Sequence, residues 1–327
     1  MAILPVTPID NIVLGTSEAD TLNGTNNGDL ILAGAGDDTL NGLQRGDVLF
    51  GNRGADAVNG NQGNDVLVWT NGDGSDTMDG GQGTDTVVVE GGNAGETFSL
   101  GSGGNDAEFQ RTSQTAFQLD IQRVESLDLQ SQGGNDRFTV DDLSGSAINQ
   151  VHFRGGDGAD ILSGQNTSTP IVAEGENGAD RLSGGGGSDQ LHGGNGNDIL
   201  RGNAGNDWLV GGNGNDNLSG GQGRDVLEGG AGDDQLNGGN GRDAFVIGPN
   251  EGEDTIQNFA TGQDVIVMRG FSAAGGDPLT FADVTGAITE TGGDTNIDLS
   301  SFATQGGAAS LTVSNVTGLT EADFVFL

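Results

Sequence analysis

Aspartate recurs at every ninth position over long stretches of this chain. From Gly175 to Val246 eight nine-residue units follow one another without a gap, and the sixth slot of each is acidic: Asp180, Asp189, Asp198, Asp207, Asp216, Asp225, Asp234 and Asp243. Gly fills the first and fourth slots of all eight units, and Leu or Phe the eighth. A rougher series runs from Gly15 to Val68 and, after Trp69 and Thr70, from Asn71 to Val88. Its acids are Asp20, Asp29, Asp38, Asp47, Asp56, Asp65, Asp76 and Asp85. Gly155 to Ser163 is one further complete copy, with Asp160. In the rough series Glu18, Asn27 and Arg45 replace the fourth-slot Gly, so weaker or partly vacant sites are expected there. The chain has no Cys and only two His, so these rows offer oxygen donors without thiolate or an imidazole cluster. That donor set suits a hard cation taking 6–8 oxygens at roughly 2.3–2.6 Å, which is Ca²⁺ rather than Zn²⁺ or the stricter, reluctantly dehydrated Mg²⁺.

The same nine residues define the elements that would hold those acids. The last three residues of a unit make a short strand whose middle, apolar side chain points inward. The first six reverse the chain, with Gly supplying backbone conformations closed to other residues. Two units make one eighteen-residue coil, so units i and i+2 stack about 4.8 Å apart and their carboxylates flank one gap. Between the units 193–201 and 211–219, the turn residues Gly193, Asn195, Asn197, Gly211, Asn213 and Asn215 are expected to add oxygens to Asp198 and Asp216. Pairing i with i+2 gives six such cages in each eight-unit block, with the best ones between Asp180 and Asp243.

Written as GGxGxDxUx, with U large and apolar, this unit resembles the RTX (haemolysin-type) calcium-binding repeat, which the chain carries over about half its length. The resemblance implies an all-β fold, a right-handed parallel β-roll or β-solenoid of nonapeptide repeats with a β-rich C-terminal cap. It implies several bound Ca²⁺ ions, a secreted, extracellular protein, and an uncleaved type I secretion signal at the C-terminal end.

Composition narrows the field further. The chain has 327 residues, 64 of them Gly, with 48 acids against eleven bases, all Arg, for a formal net charge of −37. Nucleic acid requires a basic stripe, and the Arg residues here are scattered from Arg45 to Arg269; an anionic membrane surface would repel the chain. No apolar run approaches the ~20 residues of a membrane span, and the opening MAILPVTPIDN has neither the basic nor the apolar region of a signal peptide. Ordering nine residues costs about 9 kcal/mol or more of backbone entropy, against roughly 1.5–3 kcal/mol from one buried Leu per unit. A chain largely disordered without Ca²⁺ is therefore expected.

Five segments are expected: a lead at 1–14, a first roll at 15–88, a wider connector at 89–154, a second roll at 155–246 and a cap at 247–327. The connector keeps one apolar residue per strand at Val87, Phe98, Phe109, Leu119, Leu129, Val140, Val151 and Leu162. Steps of nine to eleven residues suggest wider half-turns of a single continuous solenoid, with Gly91–Ser99 a decayed unit placing Glu96 in the acid slot. After Val246 the Gly-x-Asp-x-Ile pattern survives at Asp254/Ile256 and Asp264/Ile266. Catalytic constellations are absent from the pattern: His152 and His192 are forty residues apart, and neither HExxH nor GxSxG occurs. The expectation is a non-catalytic, Ca²⁺-folded structural, matrix or adhesion protein. The alternative is a Ca²⁺-dependent module binding extracellular polysaccharide or a cell surface, for which Trp208, facing outward from a seventh slot, is the candidate platform; a secreted hydrolase ranks below both.

Overall fold

The computed structural model describes residues 8–104, 106–113, 115–249, 251–273, 277–302 and 309–327. The first seven residues of the expected lead lie outside the described residues. The protein is nearly all β, a parallel β-solenoid, and it divides into two compact units, Met1–Val172 and Ala173–Leu327.

In the first unit, alternate strands of the chain build two parallel sheets. One stacks Asp29–Ala35, Val48–Arg53, Val66–Thr70 and Thr86–Glu90, and the other Thr39–Gln44, Ala57–Gln62 and Thr77–Gln82. Leu40 lies beside Val58, and Leu49 beside Leu67, eighteen residues on, so two nonapeptides do form one coil. The step lengthens to twenty where Trp69 and Thr70 are inserted, setting Val58 beside Met78. The eighth-slot side chains Leu40, Leu49, Val58, Leu67, Met78 and Val87 are all buried. They form the core because every second residue of a strand faces the same side.

The connector differs from the wider half-turns its spacing suggests. Thr97–Ser102, Ala107–Arg111 and Phe117–Gln122 form an antiparallel meander, with Leu100 opposite Phe109 and Phe109 opposite Leu119. The links between these strands, four and five residues long, are too short for the crossover that a parallel pair needs. The outer strands of the meander still join the parallel stack, Met78 beside Ile121 and Phe98 beside Phe138. The inward apolar residues are buried as expected, and the meander adds an aromatic cluster. Phe109 lies 5.5 Å from Phe98, 5.9 Å from Phe117 and 6.1 Å from Phe138, and Trp69 stacks on Phe117 at 3.7 Å. Trp69, an insert in the repeat, is thus a core residue whose Nε1–H donates to the Gly74 carbonyl at 2.9 Å.

The second unit is more regular. Leu200, Leu218, Leu236 and Ile256 stack in one sheet, and Leu191, Leu209, Leu227, Phe245 and Ile266 in the other, all buried. The C-terminal region closes both stacks. Phe324–Phe326 pairs parallel with Val265–Met268, while Ala309–Val313 pairs parallel with Gly252–Gln257 and carries the antiparallel strands Asp294–Asp298 and Ile288–Thr291. This is the expected β-rich cap, and it covers strand edges that would otherwise invite pairing with another chain. Among the described residues, no helix is long and apolar enough to cross a membrane.

Candidate metal centre

Most sixth-slot Asp residues are held between coils through their own backbone N–H. The N–H of Asp198 donates to Oδ1 of Asp216 at 2.8 Å, and that of Asp216 to Oδ1 of Asp234 at 2.8 Å. On the other edge Asp189, Asp207 and Asp225 donate in turn to Asp207, Asp225 and Asp243 at 2.8, 2.9 and 3.0 Å. The first unit repeats this with Asp20→Asp38→Asp56→Asp76 and Asp29→Asp47→Asp65→Asp85, at 2.7–2.8 Å. The Asp180 N–H likewise reaches Asp198 Oδ1 at 2.8 Å, and the Asp136 N–H reaches Asp160 Oδ1 at 2.7 Å. One oxygen of each acceptor is therefore committed to holding the coil.

The second oxygen is the chemically telling one. Oδ2 of Asp38, Asp47, Asp56, Asp65, Asp85, Asp198, Asp207, Asp216, Asp225, Asp234 and Asp243 is buried and has no hydrogen-bond partner. An ionised oxygen stripped of water and left unpaired is costly. Burial accordingly pushes the carboxyls of Asp47, Asp65, Asp76, Asp207 and Asp216 up to about 7, and those of Asp56, Asp85, Asp225 and Asp234 to about 6. Burial also raises Asp198 and Asp243.

Where the first slot is Gly, it keeps open the point at which those oxygens aim; at the Asp38 and Asp76 turns that slot is Ala33 and Asn71. A Cβ built on Gly193 would strike Asp198 Oδ2 and lie 2.6 Å from the Gly211 carbonyl of the next coil. A Cβ on Gly175 would meet Asp180 Oδ2 and the Gly193 carbonyl, the latter at 2.6 Å. Asp216 with Gly229, Asp207 with Gly220 and Asp65 with Gly80 converge in the same way. The fourth-slot Gly serves stacking instead. Gly196 has φ 133° and passes so close to the Gly178 carbonyl that a Cβ would collide with it. A cation beside a carboxylate oxygen and the facing carbonyl fits this cradle. Among the described residues no group of three or more acidic or histidine side chains forms a metal cluster, so carbonyls must complete any cage.

Of the six turn residues expected to add carbonyl oxygens, Gly193 and Gly211 have carbonyls at the cradles, as just described. The side chains of the four Asn link successive coils: Asn213 Nδ2 donates to Asn195 Oδ1 and Asn195 Nδ2 to Asn177 Oδ1, both at 2.8 Å, in an exposed ladder. Asn197 Oδ1 accepts from the Asn215 N–H at 2.9 Å, and Asn215 Oδ1 from the Asp233 N–H at 3.1 Å.

Not every turn is open. Asp29 Oδ2 accepts from the Thr25 N–H at 2.6 Å, Asp20 Oδ2 from the Thr16 N–H at 2.7 Å, and Asp189 Oδ2 from the Gly185 N–H at 2.7 Å. These three turns satisfy the oxygen from within. The Asp20 and Asp29 turns carry Glu18 and Asn27 in the fourth slot. The third irregular turn behaves differently: Arg45 adopts φ 70° and Leu43 φ 85°, and Asp47 Oδ2 stays unpaired.

The ladder also extends beyond the regular repeat. The Asp85 N–H donates to Glu125 Oε2 at 2.8 Å and the Glu96 N–H to Asp136 Oδ1 at 2.7 Å. Asp234 and Asp243 donate to Asp254 and Asp264 at 3.1 and 2.9 Å. The conserved spacing of Asp254 and Asp264 from Ile256 and Ile266 signals the last two in the sequence. Asp136 carries a signal of its own in SQGGNDRFT, which has Ser131 and Gln132 in place of the two leading Gly but keeps Gly134, Asp136 and Phe138 in their slots, whereas Glu125 carries none. Glu96 holds a different cation: Arg111 Nη1 lies 2.6 Å from its Oε1, both side chains buried, while Gly92 N–H caps Oε2 at 2.7 Å.

Among solved structures, the extracellular lipase LipA of Serratia marcescens is similar at 19% identity, covering 92% of this chain and 42% of its own, with a TM-score of 0.24. This chain thus spans less than half the length of that lipase. The AlgE6R3 subunit of the Azotobacter vinelandii mannuronan C5-epimerase is 27% identical over 45% of this chain and 77% of its own, with a TM-score of 0.29. No curated protein matches the chain. The pattern defining the RTX calcium-binding nonapeptide repeat (4 copies) matches residues 14–44, 34–67, 72–96, 152–166, 174–209 and 210–245. With that pattern over just over half its length, the chain belongs to the family of RTX calcium-binding repeat proteins.

Proposed function

We propose that this protein is a secreted, non-catalytic β-solenoid that binds several Ca²⁺ ions along its two edges and folds fully only when they are bound, serving a structural, matrix or adhesive role outside the cell. The reading is carried by the rows of buried Asp oxygens that lack any partner and face a neighbouring carbonyl across an open cradle. Ions would be held at Asp38, Asp47, Asp56, Asp65, Asp85, Asp198, Asp207, Asp216, Asp225, Asp234 and Asp243, whose second oxygen is unpaired, with the facing first-slot carbonyls, and the repeat pattern extends the proposal to Asp76, Asp160 and Asp180. An ion there supplies the positive charge that the desolvated carboxylates lack, and the chain contributes placement. The inter-coil hydrogen bonds fix one oxygen and leave the other aimed at the cradle. Asp20, Asp29 and Asp189, whose second oxygen is already satisfied, are the weak positions. Millimolar extracellular Ca²⁺ is sufficient for such carbonyl-rich modules. Equilibrium dialysis against Ca²⁺ should show saturable uptake of several ions per chain, reduced by Asp198→Ala plus Asp216→Ala. An unchanged stoichiometry in that double variant would remove the basis of this reading.

Surface recognition is the second reading. Trp208 is 51% exposed beside Val226, itself 36% exposed, in one sheet. A cleft of about 340 Å³ is lined by Val226, Ala244 and Val265 together with two bases, Arg224 and Arg242, and two acids, Asp225 and Asp243. Trp208, on the strand that pairs with that of Val226, offers an exposed aromatic face of the kind that stacks on a sugar ring. Glycan-array binding lost on Trp208→Ala would favour this role over a purely structural one.

A further inference from the structure

The turn ending at Asp85 is the last regular one of its stack, and the segment that faces it from the next coil, residues 123–126, belongs to no nonapeptide. Regular turns each see three things from the coil above: a carboxylate oxygen accepting the Asp N–H, a strand amide donating to the Asp carbonyl, and a first-slot carbonyl facing the cradle. At Asp85 all three are present, and all three come from residues 123–126. Glu125 Oε2 accepts the Asp85 N–H at 2.8 Å, and the Ser126 N–H donates to the Asp85 carbonyl at 3.1 Å. A Cβ built on Gly80 would lie 2.6 Å from Asp85 Oδ2 and would collide with the Arg123 carbonyl. The Arg123 carbonyl therefore stands where a first-slot carbonyl stands in a regular turn, although Arg123 itself, with φ 49°, does not share the first-slot backbone conformation, and Glu125 replaces a sixth-slot Asp after only one intervening residue. The side chain that is one methylene longer spans what the shortened turn leaves out.

We propose that Glu125 and the Arg123 carbonyl, from outside the nonapeptide repeat, complete with Asp85 a divalent-cation site selective for Ca²⁺. Asp85 is fully buried, and its Oδ2 aims into this cradle without a partner. The neighbouring Arg side chain does not fill the space. The Arg123 guanidinium is 62% exposed and forks onto the Asp79 carboxylate, with Nε 2.7 Å from Oδ1. The Glu96 turn shows the other solution to the same electrostatic problem. There the buried Arg111 guanidinium meets the carboxylate at 2.6 Å, donates to Asn71 Oδ1 at 2.7 Å and lies 4.9 Å from the Phe117 ring. Glu96 has an internal cation in contact, whereas among the described residues neither Asp85 nor Glu125 makes an ion pair, the nearby Arg123 guanidinium being turned onto Asp79, so this pair needs a contacting cation from solution. The donors are all oxygen, two carboxylates and a carbonyl, with water to complete the shell, which favours Ca²⁺ over softer metals.

This site rests on the reading that the repeat turns bind Ca²⁺, and two measurements separate the two claims. Ca²⁺ stoichiometry of the full chain should fall by one ion in Glu125→Gln, with the remaining ions retained. An unchanged count in that variant would overturn the Glu125 site while leaving the repeat reading intact; no uptake by the unaltered chain would overturn the repeat reading itself. Anomalous scattering from crystals of the unaltered chain grown in Ca²⁺ does not depend on how the variant folds. It should show a peak between Asp85 and Glu125, and peaks in the repeat turns with none at Glu125 would refute the proposal.

Discussion

A carboxylate oxygen that is buried and unpaired makes the fold pH-dependent in a definite sense. The turn Asp residues of this protein have folded-state pKa values raised by desolvation to about 6 or 7 at positions such as Asp56, Asp65, Asp207 and Asp216, from an ordinary value of 3.8. With a raised folded value, the favourable contribution is fully present below pH 3.8 and is lost as pH rises through about 6 to 7. The metal-free protein should therefore gain β-structure on acidification from pH 7.5 to 5. The loaded protein should behave oppositely, because protons compete with Ca²⁺ for the same oxygens. Circular dichroism in chelator across that range, with Ca²⁺ titrations at pH 6 and 8, tests both halves: affinity should be lower at pH 6, and a metal-free β signal that grows with pH would contradict the assignment.

At the scale of elements, the meander of Thr97–Ser102, Ala107–Arg111 and Phe117–Gln122 stands apart from the coils around it. A regular unit buries one Leu-sized side chain, whereas the meander gathers Phe98, Phe109 and Phe117 against Trp69 and Phe138. Its cation is also its own. Arg111 donates from Nε and Nη2 to the Thr115 carbonyl at 2.9 and 2.7 Å and neutralises Glu96. Removing one partner of a buried, hydrogen-bonded ion pair costs about 3–5 kcal/mol. Arg111→Met should thus lower the thermal stability of this segment even with Ca²⁺ in excess. Equal melting temperatures for the variant and the unaltered protein in saturating Ca²⁺ would show that the pair is incidental. The connector's apolar residues were legible from sequence, since each is inward and buried. Their strand directions were not, because a step of nine to eleven residues fits either a hairpin or a half-coil, and loop length decides between them.

For the molecule as a whole, these differences imply that calcium does not support all regions equally. The block from Gly175 to Val246 relies on one apolar side chain per nine residues and on rows of unpaired oxygens, so its ordering entropy is met only when cations bind. The meander and its aromatic cluster bury more apolar surface per residue and need no ion at Glu96. Hydrogen exchange in chelator should show protection lost across 175–246 but retained in part across 97–140. Uniform loss in both segments would indicate that the aromatic cluster is not sufficient, as the sequence expectation of a largely disordered metal-free chain would have it.

The nine-residue period by itself determined the coil, its eighteen-residue register, the inward Leu rows and the acidic edges, because each follows from strand alternation and from Gly at fixed places in a turn. It could not determine which carboxylate oxygens remain unsatisfied. That depends on whether a turn amide folds back onto the acid, as at Thr25 and Gly185, or a partner arrives from far along the chain, as Glu125 does at Asp85, forty residues away. Only the tertiary structure decides these meetings, since hydrogen bonds and desolvation act on distances in space and the sequence pattern records only distances along the chain.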